Sequence, residues 1–95
     1  MKNSVKVKLD GRDSNYVERL YFEYNASLNI IAFLMSKDEV KESHLQRYLD
    51  SSELKYTELE MAKSSISVKY KPLNMPDNFN YSFDFNTEEL IYWVD

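Results

Sequence analysis

The chain has no cysteine, one glycine (Gly11), two prolines (Pro72 and Pro76) and one histidine (His44). Without Cys there can be no disulfide staple, thiolate metal site or Cys nucleophile, and the composition suits a reducing compartment. A single Gly cannot build a Walker loop, a dinucleotide fingerprint or a G-x-S-x-G elbow. A lone His is too few for the usual metal sites, and the helical Glu-x-x-His pair is missing. Long apolar runs are also lacking: none approaches the roughly 20 residues that span a bilayer. The start, MKNSVKVKLDGRDSNY, has lysines but no apolar h-region of a signal peptide. A cytoplasmic protein outside the membrane is expected.

Ninety-five residues with 43% hydrophobic and 29% charged content suit a single domain, residues 1–95, with one modest core. The net charge of −4 argues against general phosphate binding, and so against a nucleic-acid partner. Its distribution says more. Lys2, Lys6, Lys8 and Arg12 face only Asp10 within residues 1–12, whereas residues 73–95 carry Asp77, Asp84, Glu88, Glu89 and Asp95 with no Lys or Arg. The two ends are expected to meet in the fold.

From Arg12 to Lys71 neither Gly nor Pro interrupts the chain, so helix is expected wherever the apolar spacing allows it. The series Val17, Tyr21, Tyr24, Leu28, Ile31, Met35 advances by alternating steps of four and three. So does Leu45, Leu49, Ser52, Tyr56, Leu59, Lys63, Ile66, Tyr70, and such steps form a coiled-coil seam. The polar entries Ser52 and Lys63 loosen the second seam, although Lys63 can lay its alkyl stem along apolar surface. One continuous rod would put Asp38 and Glu42 in the seam, where burying carboxylates is costly. Two helices are therefore expected, about 14–36 and about 40–71, zipped into an antiparallel hairpin with its turn in 36–43. Asp13 or Ser14 is the expected cap of the first helix. For the second, Ser36 with Glu39 and Ser43 with Gln46 both have capping-box spacing.

The ends read as strands. Val5, Val7 and Leu9 alternate with Lys6 and Lys8 over about 4–9; Tyr81, Phe83 and Phe85 alternate with Ser82 and Asp84; Leu90, Tyr92 and Val94 alternate with Ile91 and Trp93. A hairpin over about 79–94, turning near Asn86-Thr87, should pair with the basic first strand. A second stripe on the first helix, Phe22, Ala26, Ile30 and Phe33, lies roughly opposite the seam, and the sheet is expected to cover it. The predicted class is α+β: a long antiparallel α-hairpin packed on a small antiparallel sheet, in the order β-α-α-β-β.

Chemistry is sparse. Asp50 with Glu53 and Glu58 with Glu60 fall among Lys55, Lys63 and serines on what should be a solvated helix face, not a cleft that splits their pKa values. The doublets Ser51-Ser52 and Ser64-Ser65 have no base to activate them. No enzyme activity, cofactor or metal is expected. Eight Tyr and one Trp suit protein contact instead. Leu54, Met61 and Val68 recur every seven residues on the second helix, approximately opposite its seam. Either these are scattered surface apolar residues, or the C-terminal segment folds over the stripe, or it binds a protein or peptide partner, or a second copy in a homodimer. Trp93 is a further partner anchor, and an unpaired sheet edge could take up an extended peptide.

The runs ERLYFEYNASLNIIAFL (18–34) and YLDSSELKYTELEMAKSSISVKY (48–70) resemble small helical-hairpin proteins. Those proteins are encoded beside precursor peptides with Cys-x-x-x repeats and their radical-type maturation enzymes. Asn25-Ala26 in the first helix and Lys69-Tyr70 closing the second carry the resemblance, which covers about half the chain and excludes the terminal strands. It implies an accessory factor that binds peptide or enzyme. The alternative is a phage- or mobile-element-encoded inhibitor of a nucleic-acid-binding defence enzyme, which would need its acids gathered on one exposed face.

Overall fold

The computed structural model describes residues 4–37 and 41–95. Its order is β1 (Ser4–Lys8), α1 (Gly11–Met35), α2 (Glu42–Lys69), β2 (Asn80–Asp84) and β3 (Glu89–Trp93). This is the expected α+β fold in the expected β-α-α-β-β order. The chain turns back between Met35 and Glu42, and the rings of Tyr24 and Tyr56 meet across the two helices at 5.4 Å. A continuous rod is thereby ruled out. Val40 and its neighbours Asp38 and Glu39, part of the expected turn, lie outside the described residues.

The helix ends differ from expectation. Asp10, not Asp13 or Ser14, caps α1: its carboxylate accepts the Arg12 backbone N–H at 2.8 Å. Gly11 is thus the first helical residue, at the helix edge where backbone N–H groups lack intrahelical partners. Ser36 caps the other end of α1, its hydroxyl donating to the Phe33 carbonyl, so it does not start the second helix. The N-cap of α2 is Lys41, which makes no side-chain cap bond.

The strands form one antiparallel sheet in the order β1-β3-β2, with β3 central. Val5 pairs with Tyr92 and Val7 with Leu90 on one side; Tyr81 pairs with Tyr92 and Phe83 with Leu90 on the other. Lys8, Glu89 and Asp84 stand in one row across the sheet. The basic first strand does therefore meet the acidic hairpin, and the Lys8 ammonium donates to the Thr87 carbonyl. The β2–β3 turn is held by Asp84, whose carboxylate accepts the N–H groups of Asn86 and Thr87 at 3.0 and 3.3 Å. Glu88 takes φ 55°, a left-handed conformation that costs a non-glycine residue roughly 1–2 kcal/mol. Its carbonyl offsets part of that by accepting the Leu9 N–H at 2.8 Å.

The core gathers Leu9, Val17, Leu20, Leu59, Ile66, Leu90 and Tyr92, so both helices and the sheet contribute. Burying an aliphatic or aromatic side chain of this kind contributes about 1.5–3 kcal/mol. All these helical residues lie toward the N-terminal end of α1 and the C-terminal end of α2, which antiparallel packing brings together. The sheet thus sits over the base of the hairpin, and the molecule extends 55 Å along its long axis.

Two expectations are corrected here. The seam of α1 runs through Val17, Leu20, Ser27 and Ile31, all buried, whereas Tyr21, Leu28 and Met35 are exposed. Small residues, Ser27 on α1 and Ser52 on α2, occupy the contact in place of larger neighbours, and among described side chains no buried polar atom lacks a hydrogen bond. The second correction concerns the stripe Phe22, Ala26, Ile30 and Phe33. The sheet leaves it open: Phe22 is 62% and Phe33 60% exposed. Strands of five residues span about 17 Å, and a helix of 25 residues about 37 Å, so this sheet is too short for that helix. It also packs beside the groove between the helices rather than behind α1.

Candidate interaction surfaces

Three surfaces stand open among the described residues. The first is the back of α2, where sevenfold spacing keeps Leu54, Met61 and Val68 on one line. They are 72, 68 and 64% exposed, so the C-terminal segment does not fold over them. A hollow of about 440 Å³ beside this line is bounded by Leu54, Met61, Ala62 and, from α1, Tyr16. The second is the distal arm of the hairpin beyond the sheet. There Ile30 and Tyr48 stand on opposite walls of a groove of about 290 Å³, with Glu23 and Lys55 at its rim. Phe22, Phe33 and Met35 extend the apolar character of the arm.

The third surface belongs to the sheet. Leu90 and Tyr92 are fully buried, so strand alternation turns Ile91 and Trp93 to the opposite, outer face. Trp93 is half-buried there, between Ser4 and Asn80 on the flanking strands. The structure thus brings Leu54, Met61 and Val68 together and puts Trp93 on a separate surface. Along β2 the inward aromatics Tyr81, Phe83 and Phe85 are only half-buried, and their rings follow one another at 6.0 Å spacings.

One polar cluster ties the two helices together. The Tyr70 hydroxyl donates to Asp13 Oδ2 at 2.7 Å, Lys69 donates to the same oxygen at 2.8 Å, and the Asp10 N–H donates to the Tyr70 oxygen at 3.0 Å. Those donors hold the Asp13 carboxyl below its ordinary pKa, Lys69 first and Tyr70 second. The same bond to Asp13, with burial added, pushes the Tyr70 phenol up. Every member is satisfied by another, so the cluster locks the C-terminus of α2 onto the N-terminus of α1.

His44, the single histidine, is exposed on the first turn of α2. Among the described residues no group of three His, Asp or Glu is placed to hold a metal ion, and no helix is long and apolar enough to cross a membrane. Sequence reasoning missed the exposed arm and assigned its residues to a covered face. The strand-to-helix length ratio was the available signal. No protein-family model matches the chain, and neither a curated protein nor a solved structure matches it.

Proposed function

We propose that this chain is a small non-catalytic accessory protein that holds a protein or peptide partner, and that it serves a peptide-maturation system. The observation that carries the reading is the apolar surface on the hairpin. Leu54, Met61, Val68, Phe22, Phe33 and Met35 are each 60% exposed or more on a chain of 95 residues. Clustered apolar surface of this kind usually marks contact with another molecule. The helical-hairpin resemblance supplies the biological setting. A cytoplasmic site of action belongs to the same proposal. The row of Lys8, Glu89 and Asp84 supports this reading over that of a nucleic-acid mimic, because it mixes the terminal charges instead of gathering acids on one face.

Affinity capture of the tagged full chain from native host cells tests it. A partner retained by wild type and lost with both Leu54→Glu and Phe33→Glu supports the proposal. Unchanged capture by both variants removes the surface from the argument, and hydrolytic turnover or a resident metal in the purified protein overturns the non-catalytic reading.

A further inference from the structure

We propose that the free edge of β2 binds an extended peptide as a fourth strand of the sheet; this deepens the peptide-binding reading and rests on it. The edge is available because β2 is terminal in the order β1-β3-β2, and among the described residues it pairs with β3 alone. An exposed strand edge offers a row of N–H and C=O groups to a further chain. The other terminal strand is blunted in the usual way, since β1 carries the exposed lysines Lys6 and Lys8. Strand β2, with the sequence NYSFD, has no lysine, and its one charged residue, Asp84, stands at its C-terminal end.

A trough runs along this edge. Two hollows, of about 360 and 410 Å³, are both bordered by Ser82, Phe83 and Phe85. Strand alternation puts Ser82 on the face opposite Tyr81 and Phe83. The first hollow borders all three and so reaches residues of both faces of the strand, as a groove at its edge does. Tyr21 of α1 and Lys63 of α2 form the facing wall. The inward aromatics match the repeat of an added strand. Their rings are 6.0 Å apart, and alternate residues of an extended chain are about 6.6–6.8 Å apart. Apolar side chains at every second position of the peptide would rest on them, converting half-buried rings to the buried state that Leu90 and Tyr92 already enjoy on the next strand.

Charge completes the description of the occupant. The hollow near the C-terminal end of β2 is lined by Glu18 and Asp84, and no Lys, Arg or His lines it. A basic residue at the corresponding end of the peptide is matched there. The occupant is thus an extended segment with alternating apolar residues and a Lys or Arg at one end.

The experiment is an NMR titration of the full chain with a panel of eight-residue peptides. Each alternates threonine with valine, leucine or phenylalanine and carries lysine at one end or the other. The expected result is saturable binding by at least one member, with shifts centred on residues 80–86 and exchange slowed at least tenfold at the alternate amides of 80–84 that point away from β3. Replacing the peptide's lysine with glutamate should weaken binding at least fivefold, and Glu18→Lys should remove that preference. Tyr21→Glu should weaken binding at least tenfold, whereas Leu54→Glu should leave it unchanged. No binding by any peptide at 1 mM overturns the proposal. So do shifts centred on the arm, residues 26–35 and 48–56, although they would leave the peptide-binding reading standing. Slow exchange at those outward amides without peptide, together with a doubled solution mass, would assign the edge to a second copy and overturn it too. Turnover or a resident metal would remove the broader reading without touching the location of these shifts.

Discussion

At the scale of single residues, Tyr92 joins the two halves of the fold. It is fully buried, and its hydroxyl donates to the Ser67 carbonyl of α2 at 2.5 Å. Burial first, and nearby Tyr81 second, push its phenol up to about 12. An unfolded tyrosine ionises near pH 10, about two units lower, so the folded state holds its proton longer. The stability this provides is complete below about pH 10 and is lost as pH rises through about 12. Tyr92→Phe should therefore lower unfolding free energy by about 1–2 kcal/mol at neutral pH and make its fall between pH 10 and 12 shallower. Asp13 works in the opposite range. Its folded pKa lies below the ordinary 3.8 because Lys69 and Tyr70 donate to it, so its contribution is present above pH 3.8 and is lost as pH falls below that value. Asp13→Asn should lower the melting temperature at neutral pH and flatten the acid limb; an unchanged acid limb would show that other carboxylates set it.

At the scale of elements, the two helices begin on unequal terms. Asp10 satisfies an orphan N–H of α1, and Asp10→Ala should cost about 1 kcal/mol in denaturant unfolding. Lys41 satisfies none and puts a positive charge at the positive end of the α2 dipole. Lys41→Asp should therefore stabilise the protein by about 0.5–1 kcal/mol, the same measurement giving the opposite sign. Strand faces were legible from alternation alone: Leu90 and Tyr92 were placed on one side and Ile91 and Trp93 on the other, as observed. The helix seam was legible to within one residue. Tyr21, Leu28 and Met35 keep coiled-coil steps, but their neighbours Leu20, Ser27 and Leu34 lie nearer the contact. Beyond the reach of the sheet two helices bury only a narrow strip, and small serines occupy the contact there.

At the scale of the whole molecule, the hairpin has a supported base and a bare arm. The sheet covers Val17, Leu20, Leu59 and Ile66, whereas Leu28, Met35, Leu49 and Tyr56 remain exposed. Local opening follows the density of buried contacts, so the two ends should differ in native-state amide exchange. Amides of residues 17–24 and 59–67 should exchange at least about tenfold more slowly than those of 28–34 and 46–52. Equal protection along both helices in the isolated protein would mean that the arm is covered in solution. The stripe Leu54, Met61 and Val68 was legible as a stripe from its spacing, but whether the C-terminal segment covers it was not; it is exposed. The bare arm was not legible either, because its exposure depends on how far the sheet reaches.

Element type, order and inward strand residues follow from local periodicity, from the prolines Pro72 and Pro76 beyond the second helix, and from a basic first strand that lies beside an acidic hairpin. Those are properties of neighbours along the chain, and the sequence by itself determined them. Only the tertiary structure decided which side of α1 is covered, which residues line the interhelix contact, and that β3 takes the centre and leaves β2 at an edge above a trough. These outcomes depend on the relative lengths and layering of elements far apart in the chain, where a short sheet meets a longer hairpin and cannot cover it.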